Sequence, residues 1–111
     1  CWSLVGSEMC IRDRLKEAYD LRKNDPYITD SLGWGYYLIN DFENAEKYLK
    51  KAVELMPYDP IVNDHYGDIL WMLNRKIQAR YFWNNVLNLE ETDDEMKIDV
   101  KKKIIYGIEK T

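Results

Sequence analysis

The chain repeats itself at an interval of 34 residues, the distance from Asp25 to Asp59. The segment that begins at Asp25 reads DPYITDSLGWGYYLINDFENAEKYLKKAVEL, and the segment that begins at Asp59 reads DPIVNDHYGDILWMLNRKIQARYFWNNVLNL. Identical residues fall in register at Asp25/Asp59, Pro26/Pro60, Asp30/Asp64, Gly33/Gly67, Asn40/Asn74, Ala45/Ala79 and Leu55/Leu89. Self-similarity at this period is the signature of stacked helix hairpins, each of which buries its apolar face against the next. The repeat therefore predicts an all-α array.

Start and stop signals divide each repeat into two helices. Asp25 and Asp59 can accept hydrogen bonds from the free amides of a first helical turn, and the proline after each suits the first helical position. Asn40 and Asn74 can adopt the left-handed conformation that ends a helix. We expect first helices over 26–39 and 60–73, and second helices over 42–56 and 76–89.

Two glycines in the first helices indicate where the helices of a hairpin touch. Gly33 and Gly67 lie mid-helix, where glycine costs about 1 kcal/mol relative to alanine. That cost is offset if the backbone of the second helix passes closely, with Ala45 and Ala79 as the facing small residues. The apolar residues expected around them are Leu32, Tyr36, Leu49, Ala52 and Val53 in one hairpin and Tyr66, Leu70, Phe82, Val86 and Leu87 in the other.

These residues resemble the tetratricopeptide repeat (TPR). Gly33, Tyr36, Ala45, Ala52 and Pro57 match its pattern in a first repeat over 25–58, and a second repeat over 59–92 keeps the glycine and the first alanine. The resemblance implies a right-handed superhelical solenoid of antiparallel helix hairpins with a C-terminal capping helix. Residues 15–24 resemble the last helix of an upstream repeat, and the whole resembles the C-terminal end of large bacterial TPR proteins.

The C-terminal segment 93–111 is expected to be that capping helix, because the repeat pattern is not recognisable after Leu89. Thr92 and Glu95 have the spacing of a capping box. Met96, Val100, Ile104 and Ile108 follow at intervals of four residues and predict one apolar stripe. The lysines at 101–103 lie between them and are expected to reach solvent.

The N-terminal segment 1–14 matches neither repeat. Residues 4–14, LVGSEMCIRDR, resemble the translation of a transposon-end sequencing adapter when they are written back as codons. We therefore expect this segment to be non-native and the original gene to be longer. Both cysteines, Cys1 and Cys10, lie within it.

Composition excludes several classes of function. The chain carries 16 basic and 20 acidic residues, a net charge of −4, and no basic stripe of the kind that nucleic-acid-binding proteins show. No apolar run approaches the roughly 18–20 residues of a membrane span. We expect neither a nucleic-acid partner nor a membrane span, and the composition suits cytoplasm and periplasm alike.

In the resembled family the first helices line a concave groove that binds partners. The residues expected there in the first repeat are Tyr27, Asp30, Ser31, Trp34, Tyr37 and Leu38, and in the second Ile61, Asp64, His65, Asp68, Trp71 and Met72. Lysine and arginine are absent from these positions, so the clamp with which many members hold a C-terminal carboxylate is not carried over. An acidic, aromatic groove favours a protein or peptide partner that is apolar, basic or both, with Trp34 and Trp71 as anchors. Alternatively, both tryptophans pack against neighbouring helices.

No catalytic or metal site is expected. His65 lies between Asp64 and Asp68 in sequence, but on a helix it points about 100° away from Asp64, whereas a zinc site needs convergent ligands. We expect His65 instead to make a hydrogen bond that fixes helix packing or a contact in the groove. We predict a protein–protein interaction module without cofactor, metal or enzymatic activity of its own. The alternative is the substrate-docking arm of a longer enzyme.

Overall fold

The computed structural model of the chain describes residues 7–109, which form six helices. They are α1 (Ser7–Leu21), α2 (Pro26–Leu38), α3 (Phe42–Leu55), α4 (Pro60–Met72), α5 (Lys76–Asn88) and α6 (Asp94–Tyr106). Helices α2 and α3 form one hairpin, α4 and α5 form the next, and each hairpin packs on its neighbour. The expected all-α solenoid is confirmed.

The four helices of the two repeats begin and end within one residue of the predicted positions. Asp25 accepts hydrogen bonds from the amides of Tyr27 and Ile28 at 2.9 and 3.1 Å. Asp59 accepts one from Val62 N at 3.0 Å. Asn40 and Asn74 both adopt a φ of 63°, the left-handed conformation that asparagine tolerates better than most residues. The ends of the first helices therefore follow from single residues.

The mid-helix glycines mark the closest approaches inside the hairpins. A Cβ placed on Gly33 would lie 2.6 Å from Leu49 Cγ and 3.0 Å from Leu49 N. A Cβ on Gly67 would lie 2.5 Å from both Cδ1 and Nε1 of Trp83. The predicted contact of each glycine with the second helix of its own hairpin is confirmed, and the contact leaves no room even for alanine.

Trp83 is the largest fully buried side chain of the described residues, and the predicted core did not include it. It lies 34 positions after Leu49, so the two residues are equivalent: each packs against the mid-helix glycine of its own hairpin. Phe82 and Leu87, which were predicted to fill this core, are only partly buried at its edge.

Helix α6 continues the 34-residue repeat, although the repeat pattern is not recognisable in the sequence after Leu89. Its N-cap is Asp93, which lies 34 positions after the N-cap Asp59 and accepts a 2.7 Å hydrogen bond from Met96 N. The predicted capping role of Thr92 is wrong, because its hydroxyl donates instead to Val86 O at 2.6 Å and closes the end of α5. Helix α6 thus takes the place that the first helix of a third repeat would take.

Helix α1 packs on the outer side of the first hairpin. Tyr19 is buried, meets the Tyr48 ring edge to face at 5.0 Å, and its hydroxyl accepts a 2.7 Å hydrogen bond from Lys51 Nζ. Helix α1 includes residues 7–14 of the adapter-like segment, whereas residues 4–6 lie outside the described residues.

Candidate functional site

Helices α2 and α4 lie side by side, and their first-helix positions form a strip that we call the first-helix groove. Its exposed members include Tyr27, 65% exposed, and Ile61, 55% exposed. Trp34, Trp71 and His65 are partly buried, whereas Asp30 and Asp68 are buried. The residues predicted to line the groove therefore differ widely in their access to solvent.

One group of polar and aromatic residues joins α2 to α4. His65 Nδ1 lies 3.0 and 3.1 Å from the two carboxylate oxygens of Asp30. The Trp34 ring stacks on the His65 ring at 4.1 Å and on the Tyr37 ring at 4.4 Å between centroids. His65 and Asp30 thus link α4 to α2 through their side chains.

A second group joins α4 to α6. Lys103 Nζ donates to Asp64 Oδ1 at 2.5 Å and to Asp68 Oδ1 at 2.8 Å, and Trp83 Nε1 also donates to Asp68 Oδ1 at 3.1 Å. The expectation that Lys103 reaches solvent is therefore wrong, since only 20% of its side chain is exposed. A basic residue does meet these aspartates, and α6 of the same chain supplies it.

The burial of this ion-pair group shifts its proton affinities. Desolvation, and then repulsion from Asp64, raise the pKa of Asp68 to about 6, although Lys103 and the hydrogen bond from Trp83 oppose the rise. The pKa of Lys103 is raised, because both carboxylates outweigh the opposing effect of burial. Burial also raises the pKa of Tyr37, and the Asp68 charge adds to that rise. The three helices α2, α4 and α6 are thus electrostatically linked.

Trp71 anchors the segment that follows α6. Its Nε1 donates to Ile108 O at 3.1 Å, and Gly107, at φ 73°, lies against the indole ring where a Cβ would clash. The Arg80 and Lys76 cations lie 5.1 and 4.9 Å from the Trp71 ring centroid. Much of the Trp71 ring is therefore packed against other parts of the chain, as in the alternative in which the tryptophans pack against neighbouring helices.

Sequence reasoning missed Lys103 and Ile108 as neighbours of the groove. The usable signal was Asp93, whose spacing from Asp59 gives the register of α6. Lys103 then corresponds to Ile69, a fully buried residue of α4, and so points inward.

Two further properties limit the chemistry of the described residues. Within 7–109, no three His, Cys, Asp or Glu side chains converge to form a candidate metal site. The helices of the same range are each too short or too polar to cross a bilayer. The arrangement offers apolar, aromatic and carboxylate surface, which is the chemistry of recognition.

Three curated proteins share sequence with parts of the chain. The human aspartyl/asparaginyl beta-hydroxylase is 36% identical over 61 residues, which are 55% of this chain and 8% of the hydroxylase. The anaphase-promoting complex subunit CDC16 of Saccharomyces cerevisiae is 46% identical over 39 residues, 35% of this chain and 5% of that subunit. A TPR repeat-containing protein of Pseudomonas aeruginosa is 37% identical over 57 residues, 51% of this chain and 10% of that protein. The chain thus spans at most a tenth of each relative. No protein-family model matches it.

A solved structure shares the fold. It is the first TPR of Spaghetti (RPAP3) bound to the HSP90 peptide SRMEEVD, and it superposes with a TM-score of 0.76 at 21% identity. The superposition covers 87% of this chain and 77% of that one. The described architecture is thus that of a helix-hairpin repeat array. With its 34-residue period and the bacterial relative, the chain is similar in sequence to tetratricopeptide-repeat proteins, and it has the fold of a tetratricopeptide-repeat array.

Proposed function

We propose that the chain is a protein–protein interaction module that binds a partner peptide or domain in the first-helix groove. The observation that carries the proposal is the exposed apolar surface of the groove positions: Tyr27 and Ile61 are each more than half exposed, and Trp34 is partly exposed. Aromatic residues at the centre of a concave surface are frequent binding hot spots.

The charge of the groove favours a partner that is basic, apolar or both. Asp64 and Asp68 share one ammonium group, that of Lys103, and Asp30 lies against His65, so negative charge is in excess around these three carboxylates. The structural relative holds the acidic peptide SRMEEVD. The lack of lysine and arginine at the predicted groove positions of α2 and α4 argues that this chain prefers different peptides.

The test compares two labelled peptides by fluorescence anisotropy at low and high salt. One is SRMEEVD, and the other is a lysine-rich peptide of the same length with two leucines. We expect the lysine-rich peptide to bind more tightly, and the double variant Tyr27→Ser/Ile61→Ser to weaken binding about tenfold. Because both residues are exposed, the fold should be unchanged.

The matched control is Leu21→Ser/Ile77→Ser, which removes two apolar groups that are still more exposed, on α1 and α5. Preference for SRMEEVD, or equal effects of the two double variants, would contradict the proposed groove.

A second candidate function is the docking arm of a longer enzyme. The match to the human hydroxylase favours it, although this match covers 8% of that enzyme. The intact gene decides between the two: a catalytic domain next to the repeats supports the docking arm, and an unbroken array of repeats supports the interaction module.

A further inference from the structure

A second candidate binding surface lies away from the first-helix groove, at the ends of the two second helices. Two adjoining cavities of about 690 and 440 Å³ share the residues Pro57, Tyr58, Asn88 and Leu89. We call this surface the loop-side pocket.

The repeat explains the location of the pocket. Leu55 ends α3, and Leu89, its equivalent 34 positions later, follows α5. After Leu55 the first repeat continues with Met56 and Pro57, whereas the second continues with Glu90 and Glu91. The two equivalent loops thus bring an apolar wall and an acidic wall to the same pocket.

Large apolar groups in this pocket are left open to solvent. Tyr58 is 79% exposed, Tyr81 is 61% exposed and Leu55 is 40% exposed. The larger cavity falls within the roughly 300–1,000 Å³ that is typical of ligand sites. It is large enough for a bulky side chain of a partner.

The polar residues of the loop-side pocket indicate which polar groups a partner would carry beside that bulky side chain. Glu90 and Glu91 are exposed and line the larger cavity, and neither cavity is lined by a described lysine or arginine. Asn85 and Asn88 place side-chain amides along the smaller cavity, and an amide can both donate to and accept from a peptide backbone. The chemistry therefore fits an extended peptide with an apolar anchor and a cation beside it.

We propose that the loop-side pocket binds an extended peptide segment of a partner protein, in which an aromatic or large aliphatic residue is followed by lysine or arginine. The anchor fills the cavity beside Tyr58, and the cation meets Glu90 and Glu91. The site is separate from the first-helix groove, so one molecule can bind two segments at once.

The experiment is a ¹⁵N NMR titration of the full chain with a nine-residue glycine–serine peptide that carries one tryptophan followed by two lysines. We expect the side-chain amide signals of Asn85 and Asn88 to shift. The double variant Glu90→Gln/Glu91→Gln should raise Kd about fivefold and abolish most of its salt dependence. Tyr58→Ser should raise Kd about tenfold.

Two control variants separate this site from other charges and from the groove. Glu17→Gln/Glu43→Gln removes two exposed carboxylates elsewhere, and Tyr27→Ser/Ile61→Ser alters the groove. Both should leave Kd within about twofold of the wild-type value. The proposal is overturned if the asparagine signals do not move, or if either control weakens binding as much as the pocket variants do. It is also overturned if these signals shift with protein concentration alone, because the pocket then binds a second copy of the chain.

Discussion

Gly67 lies where the α4 backbone meets the Trp83 ring, and this contact sets the spacing of the second hairpin. Trp83 is fully buried, and its Nε1 is fixed by the hydrogen bond to Asp68. The ring therefore cannot move aside without disturbing the buried ion-pair group. A single added methyl group should disturb the packing of the whole hairpin, because close-packed cores adjust poorly.

We predict that Gly67→Ala lowers the free energy of unfolding by about 1–3 kcal/mol, the usual cost of overpacking, even though alanine favours helix. The matched control is Gly35→Ala, where the new Cβ would lie 3.5 Å from Leu15 Cδ1 in ordinary contact. The control should be neutral or more stable by up to about 1 kcal/mol. Urea unfolding followed by tryptophan fluorescence measures both. Equal stability of the two variants would argue against the close contact with Trp83.

At the scale of single residues, the sequence predicts those features that depend only on local chemistry. The aspartate N-caps and the left-handed asparagines were identifiable because a short polar side chain satisfies or tolerates one local backbone geometry. The inward direction of Lys103 was not, because three consecutive lysines point about 100° apart on a helix. Which of them is buried depends on the face that α6 presents to α4, and that is set by tertiary packing.

Helix α6 is held to α4 by a charge group that is sensitive to pH. Asp68 would have an ordinary pKa near 3.8 in the unfolded chain, and its pKa in the folded chain is about 6. Between these values the folded state holds a proton that the unfolded state lacks. The contribution of this group to stability is therefore greatest below pH 3.8 and is lost as pH rises through 6.

We predict that changing the pH from 5 to 7 removes about 1 kcal/mol of stability from the wild type relative to Asp68→Asn. Asparagine keeps an oxygen that can accept from Trp83 Nε1, and Asp64 still pairs with Lys103. Urea unfolding at both pH values gives the comparison. Asp99→Asn, an exposed change on α6, should keep the wild-type pH profile. If the profiles of Asp68→Asn and wild type are parallel, Asp68 does not titrate in this range.

The register of α6 shows what the repeat could and could not reveal about the site. The 34-residue period relates each first-helix position of α2 to its equivalent in α4, and the prediction of a shared groove rests on that relation. The internal partners of the aspartates were missed, because α6 keeps the N-cap aspartate of the repeat but loses its glycine, with Lys101 at that position. Helix α6 thus retains the position of a repeat helix although most of the characteristic residues of the repeat are lost.

The molecule as a whole is a linear stack, in which each helix depends mainly on its neighbours for burial. Helix α1 therefore contributes through the residues that touch α2 and α3. Tyr19 supplies a buried ring and a hydrogen bond, and Leu15 is partly buried against the core. Before Leu15, the Arg12 guanidinium lies 5.6 Å from the Tyr36 ring centroid, a contact that is worth about 0.5–1 kcal/mol at most exposed sites.

The last prediction tests whether the adapter-like segment belongs to the folded unit. We expect a chain over 15–111 to lose less than about 1 kcal/mol of unfolding free energy relative to 1–111, because a cation–π contact such as that of Arg12 contributes little near the surface. Tyr19→Ala in the full chain is the positive control, and it should lose about 3 kcal/mol, because it removes a buried ring together with its hydrogen bond. Chemical denaturation of the three proteins gives the ranking. If the truncated chain loses as much as Tyr19→Ala, residues 1–14 pack as an integral part of the folded unit, which argues that the segment belongs to the protein.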